Sequence, residues 1–233
     1  MLTLSGWVPF TTIDYPNHLA AVVFLQGCPC RCVYCHNPAL QKTEKMEGSP
    51  SWEDFLTFLD KRKKLLDGVV FSGGEPLMQE NLSQAVAQVK QQGFLIGLHT
   101  SGVTAHAFEK VLPLTDWVGL DIKAPVEKYE KTTGNRFFAS QAFLSLDLLL
   151  QSGKSYEIRT TWEPDVLTKE DVLSLARLLS EKGVQTFSLQ EFRETQTRPD
   201  IVKTLKKTSY FDDSELMKKI SSYFKEFIVR RAE

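Results

Sequence analysis

The stretch Gly27-Cys28-Pro29-Cys30-Arg31-Cys32-Val33-Tyr34-Cys35-His36-Asn37-Pro38 contains all four cysteines of this 233-residue chain. Three of them, Cys28, Cys32 and Cys35, have the spacing C-x3-C-x2-C. A run this tight places several thiolates on one loop, and iron–sulfur clusters are held by cysteine thiolates at short spacings of this kind. Three such ligands leave one iron of a four-iron cluster open, and an open position usually marks a catalytic metal site.

Other uses of the four thiols fit the spacing less well. A structural zinc site usually has two C-x2-C arms a dozen or more residues apart, and this sequence has no second arm. Disulfides between such close neighbours would be strained, because the bond requires specific Cα separations. Four unrelated thiols remain an alternative. Cys30, inside the x3 gap, is interpreted as a bystander, with a competing ligand as the alternative.

The loop resembles the signature of radical S-adenosylmethionine (radical SAM) enzymes, where an aromatic residue precedes the last cysteine, as Tyr34 does here. The Cys-His-Asn-Pro continuation is more similar to the glycyl-radical-enzyme activating proteins. The resemblance implies that Cys28, Cys32 and Cys35 bind a [4Fe–4S] cluster, that S-adenosylmethionine chelates the fourth iron, and that Tyr34 packs near the adenine. An electron from flavodoxin or ferredoxin would then produce methionine and a 5′-deoxyadenosyl radical, which takes a hydrogen atom from the substrate.

A second motif follows the next buried strand. Gly73 and Gly74 permit positive φ and close backbone approach to a ligand, and Glu75 can accept a hydrogen bond from an amine. Before a proline, such a pair is most often an ordinary turn. After the cysteine loop, however, Gly-Gly-Glu-Pro resembles the radical SAM motif that contacts the amino group of S-adenosylmethionine, and this implies the same contact for Gly73, Gly74 and Glu75.

Later strands end in further candidate residues. His99, Thr100 and Ser101 stand where related enzymes often have Asp-Thr-Asn. We interpret His99 as a hydrogen-bonding group near the cofactor's ribose or amino group, with a structural histidine as the alternative, and Thr100 and Ser101 as polar lining. Gln190 is a candidate for the adenine side. We assign no catalytic role to Asp14, which precedes the first predicted strand.

Asp121 and Lys123 occupy alternate positions of a strand and therefore share a face. Inside a barrel they would form a buried ion pair, which is tolerated only if the charges are paired or bind a ligand. They resemble the Asp-[Ile/Leu]-Lys motif of activating enzymes, which implies that both side chains approach the cofactor. Arg159 is a candidate for holding the cofactor's carboxylate, because the guanidinium forms forked contacts. A rim salt bridge is the alternative for Arg159.

The pattern of apolar runs predicts an α/β fold. Six predicted strands, 20–25, 69–71, 94–98, 117–123, 155–162 and 186–192, alternate with helices, which indicates a parallel sheet. By resemblance we expect the partial (β/α)6 TIM-like barrel of radical SAM proteins, in one domain spanning 1–233. Its core is expected at about 14–192. Leu216, Ile220, Phe224 and Phe227 predict a C-terminal amphipathic helical extension at about 210–230.

Composition and charge limit the partners and the cellular location that we expect. The charges, 28 basic against 29 acidic, give no electrostatic reason to expect nucleic-acid binding. No signal peptide and no run of about 18 apolar residues is visible, so we expect a cytoplasmic protein with no membrane segment and with reduced cysteines. No further cysteine cluster is present for an auxiliary iron–sulfur centre.

The substrate is inferred from resemblance alone. The short chain, the Gly-Trp and Asp-Tyr-Pro segments near its start and Cys-His-Asn-Pro are most similar to proteins that activate anaerobic ribonucleoside-triphosphate reductase. The reaction would be installation of a glycyl radical on that partner. The alternatives are activation of pyruvate formate-lyase, a radical SAM enzyme acting on a small molecule, and a non-enzymatic metal-binding scaffold.

Overall fold

The computed structural model describes residues 2–192 and 210–232, and in this part of the chain eight strands form one sheet. The strands are β1 Leu4–Thr11, β2 Ala20–Leu25, β3 Gly68–Gly73, β4 Leu95–Thr100, β5 Trp117–Asp121, β6 Ser155–Trp162, β7 Thr186–Glu191 and β8 Glu226–Arg230. The α-helices are α1 Trp52–Asp60, α2 Leu82–Gln91, α3 Ala105–Val111, α4 Tyr129–Thr133, α5 Phe138–Gln151, α6 Lys169–Glu181 and α7 Ser214–Ser221.

The strands lie in the sheet in chain order, with β1 at one edge and β8 at the other. β1 is antiparallel to β2, and every later neighbouring pair is parallel. The predicted α/β fold with an open, parallel, barrel-like sheet is thereby confirmed. Helices α1 and α6 are preceded by Ser51 and Thr168, each of which forms a reciprocal capping box with the Asp three residues later.

Two strands were missed by the sequence analysis. The first is β1, which precedes the first predicted strand, 20–25. Gly6 and Pro9 interrupt the pattern of this strand, and its burial does not alternate regularly. Proline is tolerated here because β1 is an edge strand, where a missing N–H costs no ladder hydrogen bond.

The second missed strand is β8, and the predicted helical extension at about 210–230 was wrong in its extent. The α-helix ends at Ser221, while Phe224 lies in the short connection to β8 and Phe227 in that strand. Both rings pack on Phe187 of β7, with centroid distances of 4.8 and 6.0 Å. The spacing of Phe224 and Phe227 fits a helix, but their packing on Phe187 accompanies the pairing of β8 with β7.

The floor of the barrel is closed by the β1–β2 connection. The ring of Tyr15 lies against the glycines of β3 and β4, where a Cβ on Gly68 or Gly97 would come within 3.1 or 3.3 Å of it. Trp117 stacks on Tyr15 at 5.7 Å. The absence of side chains at the two glycines therefore makes room for an aromatic plug at the amino ends of β3 and β4.

Candidate active site

One cavity of about 260 Å³ lies at the carboxyl ends of the strands and gathers every site residue that the sequence singled out. The residues are Cys28, Tyr34, Cys32, Cys35, Gly73, Gly74, Glu75, His99, Thr100, Ser101, Asp121, Lys123 and Arg159. They come from five strands or the loops that follow them. This is the end at which α/β barrels carry their chemistry.

The cysteine loop leaves β2 and is fixed by backbone hydrogen bonds on both flanks. The Gly27 N–H donates to the carbonyl of Leu40 at 2.9 Å. On the far side, the Arg31 N–H donates to the carbonyl of Thr133, the last residue of the short helix α4, at 2.8 Å. The loop is therefore held between the connection that follows it and the β5–α5 connection.

The thiols within the loop have different surroundings. Cys30 is 1% exposed, whereas Cys28, Cys32 and Cys35 are half-buried. A hydrogen bond with Cys30 lowers the pKa of Cys28, and the corresponding bond, aided by Lys123 against the effect of burial, lowers the pKa of Cys32 to about 6. The same hydrogen bonds raise the pKa of Cys30, and burial raises that of Cys35. Cys30 is thus the neutral partner of its two neighbours.

The donor set fits an iron–sulfur cluster. Three half-buried thiols share one cavity with backbone from two glycines and with buried polar side chains. Within residues 2–192 and 210–232, no group of three or more His, Cys, Asp or Glu side chains is arranged to hold a metal ion as the structure stands. The assignment of Cys28, Cys32 and Cys35 therefore rests on the spacing of the motif and on the chemistry of the thiols.

The two glycines of Gly-Gly-Glu-Pro have a packing role that the sequence analysis did not anticipate. A Cβ on Gly73, which has φ of +127°, would lie 2.2 Å from backbone atoms of Leu25. A Cβ on Gly74 would lie 2.3 Å from the carbonyl oxygen of Gly27. Both glycines thus allow the turn after β3 to press against the base of the cysteine loop, while their backbone lines the cavity.

Glu75 is buried, 1% exposed, and its carboxylate fastens the end of β4. Oε1 accepts hydrogen bonds from Thr100 Oγ1 at 2.5 Å and from the Leu77 N–H at 3.1 Å. Oε2 accepts from the N–H of Ser101 at 2.8 Å and from its hydroxyl. A carboxylate has about four lone-pair sites, so Glu75 already has a full set of donors from the protein.

His99 is held in one tautomer by the floor of the barrel. Its Nε2 lies 2.9 Å from the carbonyl oxygen of Asp14. Because a carbonyl can only accept, Nε2 carries the proton and Nδ1 is a hydrogen-bond acceptor. Burial, together with the charge of Arg159, lowers the pKa of His99 to about 3. The imidazole is therefore neutral at physiological pH.

Asp121 bridges two cations inside the cavity. Its Oδ1 accepts from Arg159 Nε at 2.8 Å, and its Oδ2 lies 3.3 Å from Lys123 Nζ. Burial raises the pKa of Asp121, but Arg159 and Lys123 outweigh that effect and hold it at about 2. Burial lowers the pKa of Lys123, but Asp121 outweighs it and the pKa stays well above the usual value. The cluster carries one net positive charge.

Gly119 makes this arrangement possible. A Cβ there would come within 2.8 Å of Arg159 Nη1, so the bare backbone leaves space for the guanidinium to cross β5. Asp121 and Lys123 are in contact as predicted, but β5 ends at Asp121 and Lys123 lies two residues beyond the strand. Arg159 forms a salt bridge with Asp121, as the alternative interpretation expected, but both residues line the cavity.

Tyr34 supplies a buried polar atom that has no protein partner. The residue is 5% exposed, and its hydroxyl makes no hydrogen bond in the described part of the chain. The Lys123 ammonium lies 5.8 Å from the centre of its ring. Burial raises the pKa of Tyr34 well above 10, so the hydroxyl remains a neutral hydrogen-bond donor.

The cavity wall also contains residues to which the sequence analysis gave no role, among them Asn37, Gln41, Ser72 and Thr161. Thr161 could have been found from the period of two along a strand, because it lies two positions after Arg159. Gln190 lines the same cavity. No comparable sequence signal exists for Gln41 or Ser72, which reach the cavity only through the fold.

The comparison with known families agrees with this geometry. The Radical SAM superfamily profile matches residues 22–155, more than half of the chain, and the chain belongs to this superfamily. It is therefore an enzyme of the radical SAM type, whose members use a [4Fe–4S] cluster and S-adenosylmethionine.

Relatives within the superfamily are more specific. The chain is 29% identical over 236 residues to a Methanocaldococcus jannaschii protein named as a glycyl-radical enzyme activating enzyme, covering 97% of this chain and 95% of that one. It is 41% identical over 118 residues to the pyruvate formate-lyase-activating enzyme of Clostridium pasteurianum, covering 48% of each. The fold matches Streptococcus suis SuiB bound to S-adenosylmethionine with a TM-score of 0.68 and 16% identity, over 89% of this chain and 48% of that one.

Among the residues described, no helix combines the length and apolar character needed to cross a bilayer.

Proposed function

We propose that this chain activates a glycyl radical enzyme by removing a hydrogen atom from a backbone glycine of its partner. The observation that supports this most directly is the convergence of the cysteine loop, Gly-Gly-Glu-Pro and the Asp121–Lys123 pair on one cavity. The M. jannaschii relative named as an activating enzyme is similar along nearly the whole chain, which supports the same reaction class.

In this proposal Cys28, Cys32 and Cys35 hold the cluster, and the residues around Glu75 and Asp121 hold S-adenosylmethionine. When bound, the cluster and this cofactor supply the 5′-deoxyadenosyl radical that abstracts hydrogen. Lys123 and Arg159 present the positive charge that the cofactor's carboxylate requires. Their shared partner Asp121 keeps both cations fixed in direction.

His99 provides an acceptor on the β4 side of the cavity. Its Nδ1 has no hydrogen in the tautomer set by Asp14, so it can receive a hydrogen bond from the cofactor's amino or ribose group. Glu75, whose lone pairs are already used by Leu77, Thr100 and Ser101, acts here as a positioning residue. It sets the direction of Thr100 and Ser101 beside the cofactor, together with the backbone of Gly73 and Gly74.

Two partners are candidates. Anaerobic ribonucleoside-triphosphate reductase is favoured by the similarity of the opening segment and of Cys-His-Asn-Pro. Pyruvate formate-lyase is favoured by the similarity to the C. pasteurianum activating enzyme. The electron donor in either case would be a flavodoxin or a ferredoxin.

The test is an anaerobic activation assay. The chain is reconstituted with iron and sulfide, reduced, and given S-adenosylmethionine with each purified glycyl radical enzyme in turn. We expect 5′-deoxyadenosine and, with the true partner, the doublet of a glycyl radical in the electron paramagnetic resonance spectrum. A protein that binds iron but produces no 5′-deoxyadenosine would refute the proposal. Cleavage without a radical on either partner would direct the search to small-molecule substrates.

A further inference from the structure

We infer that Thr161 and Gln190 form a subsite for the peptide backbone on either side of the target glycine. This inference rests on the proposed function and adds to it the part of the site that would recognise the partner. The two residues are opposite each other in the register of β6 and β7. Both therefore lie at the carboxyl ends of these strands, on the side of the sheet that lines the cavity.

Their position joins two cavities. Thr161, Gln190 and His36 line the cluster cavity and also a second cavity of about 250 Å³. The second cavity is bordered by Arg230 and Arg231, at the end of edge strand β8 and just beyond it. A chain segment that enters from this edge of the sheet would meet Thr161 and Gln190 before it reached the cofactor.

Both side chains have unused hydrogen-bonding capacity. In the described part of the chain, neither the Thr161 hydroxyl nor the Gln190 amide makes a hydrogen bond, although their neighbours Arg159 and Ser188 do. A Gln side chain offers both an acceptor oxygen and two N–H donors, and a hydroxyl offers both roles as well. The pair can thus serve one peptide N–H and one peptide carbonyl together.

The charges around the second cavity disfavour an anionic ligand. Arg230 forms two hydrogen bonds to the carboxylate of Glu157, at 2.5 and 2.8 Å. Arg231 is paired with Asp212 at 2.7 Å. Each arginine of this wall therefore has a carboxylate partner, and a phosphate or free carboxylate would have to compete with it. An uncharged polar group such as a peptide meets no such competition.

This chemistry suits a glycine substrate. Glycine has no side chain to recognise, so an enzyme can locate it only through the peptide groups beside it and by excluding larger residues. The side-chain amide of Gln190 has N–H donors and a carbonyl acceptor, as a peptide group does, so it can form the hydrogen bonds that peptide groups of neighbouring strands form with each other. The same geometry would be of little use to a small anionic substrate.

The experiment measures binding before catalysis. Labelled short peptides copied from the glycine loops of a pyruvate formate-lyase and of an anaerobic ribonucleotide reductase are titrated by fluorescence anisotropy, without reductant, into the reconstituted enzyme carrying S-adenosylmethionine. Each peptide is used in its ordinary form and with an N-methyl group on the residue after the glycine. The variants are Gln190→Leu and Thr161→Val. The matched control is Thr186→Val, at the opposite end of β7.

We expect Gln190→Leu to weaken binding of the ordinary peptide roughly fivefold to fifteenfold, the usual effect of one or two hydrogen bonds. N-methylation should weaken binding to the wild type similarly and have little further effect in Gln190→Leu. Thr161→Val should give a smaller loss, and Thr186→Val none. Because N-methylation changes the peptide alone, its effect on binding to the wild type can be measured even if a variant folds poorly.

Three results would overturn the inference: wild type that binds neither peptide, equal peptide affinity in wild type and Gln190→Leu, or a loss in Gln190→Leu confined to S-adenosylmethionine affinity. The last result would place Gln190 on the adenine side. The proposed function fails separately, if the wild type forms no 5′-deoxyadenosine when reduced.

Discussion

The carboxylate of Glu75 accepts hydrogen bonds from both the backbone N–H and the hydroxyl of Ser101, 26 positions later in the chain. This relationship ties the Gly-Gly-Glu-Pro turn after β3 to the end of β4. Because Thr100 donates to the same carboxylate, two adjacent motifs of the site act as one structural unit.

Replacing Glu75 should therefore be costly even without any cofactor. In Glu75→Gln, an amide N–H₂ would face the donors of Thr100 or Ser101, leaving buried groups unsatisfied. We expect a loss of about 2–3 kcal/mol in the free energy of unfolding of the metal-free protein, measured by urea denaturation. The exposed neighbour substitution Glu80→Gln is the control and should change stability little. Equal stability of the two variants would contradict the role given to Glu75.

The cysteines should separate into three ligands and one bystander. Cys32→Ser should lose both the cluster and cleavage of S-adenosylmethionine, because a thiolate ligand is removed. Cys30→Ser should retain both, since Cys30 is a buried hydrogen-bond partner of Cys28 and Cys32. Iron content per chain and the visible absorption of the reconstituted proteins measure the difference. Complete loss of iron in Cys30→Ser would show that the ligand assignment is wrong.

Removing the bridging carboxylate should leave two cations close together. In Asp121→Asn, Lys123 and Arg159 lose their shared partner inside the cavity. Breaking a fully buried pair costs several kcal/mol; because Asp121 is about one-third exposed, we expect a loss of about 2–3 kcal/mol at neutral pH. Urea denaturation at low and at high salt measures this loss in the free energy of unfolding. An unchanged free energy of unfolding would contradict the bridging role.

His99 should make the fold sensitive to mild acid. The unfolded chain takes up a proton near pH 6.5, whereas the folded protein does so only near pH 3. The contribution of the neutral imidazole is thus fully present above pH 6.5 and is lost as pH falls toward 3, with a slope of up to about 1.4 kcal/mol per pH unit.

The comparison that isolates this effect uses His99→Gln, in which the side chain does not titrate. Urea denaturation at several pH values between 7.5 and 4 should show that the free energy of unfolding depends less on pH in His99→Gln than in wild type. This range covers most of the interval between the unfolded and folded pKa values of His99. His106→Gln, at an exposed position, should follow the wild-type curve. Parallel curves for wild type and His99→Gln would refute the prediction.

The glycine at the end of β3 should tolerate no side chain. A Cβ on Gly73 would collide with the backbone of Leu25 and would require a residue with positive φ. Gly73→Ala should cost at least about 3 kcal/mol, since both strain and overpacking contribute. Gly6→Ala, where a Cβ meets no atom within 4 Å, is the matched control. Thermal denaturation of the two metal-free variants measures the difference, and similar melting temperatures would contradict it.

The sequence predicted those parts of the site that follow directly from strand order. Parallel strands place their carboxyl ends at one edge, so the cysteine loop, Glu75, His99 and Asp121 had to converge once the alternation of strands and helices was recognised. The contact between Asp121 and Lys123 was predicted from the period of two along a strand, and it forms although Lys123 lies just beyond the end of β5. For these residues, the position in the sequence pattern nearly determines the position in space.

Other features depend on contacts that no local pattern records. The hydrogen bond between His99 and the carbonyl of Asp14 joins positions 85 residues apart, and the Tyr15 plug depends on glycines in two later strands. The aromatic spacing in the C-terminal segment predicted a longer helix, but Phe227 lies in β8, where its ring packs on Phe187 of β7. The roles of individual site residues in cofactor binding stay predictions.

The placement of β1 has a consequence for how the enzyme matures. Because β1 pairs with the outer side of β2, the strand that leads into the cysteine loop is hydrogen-bonded on both sides. Among the side chains of the cysteine loop, only those of Cys30 and Tyr34 are buried. We therefore expect the polypeptide to complete its fold before iron and sulfide are delivered, with assembly of the cluster as a late step. We expect the chain to differ in this respect from small zinc domains, which fold only when the metal binds.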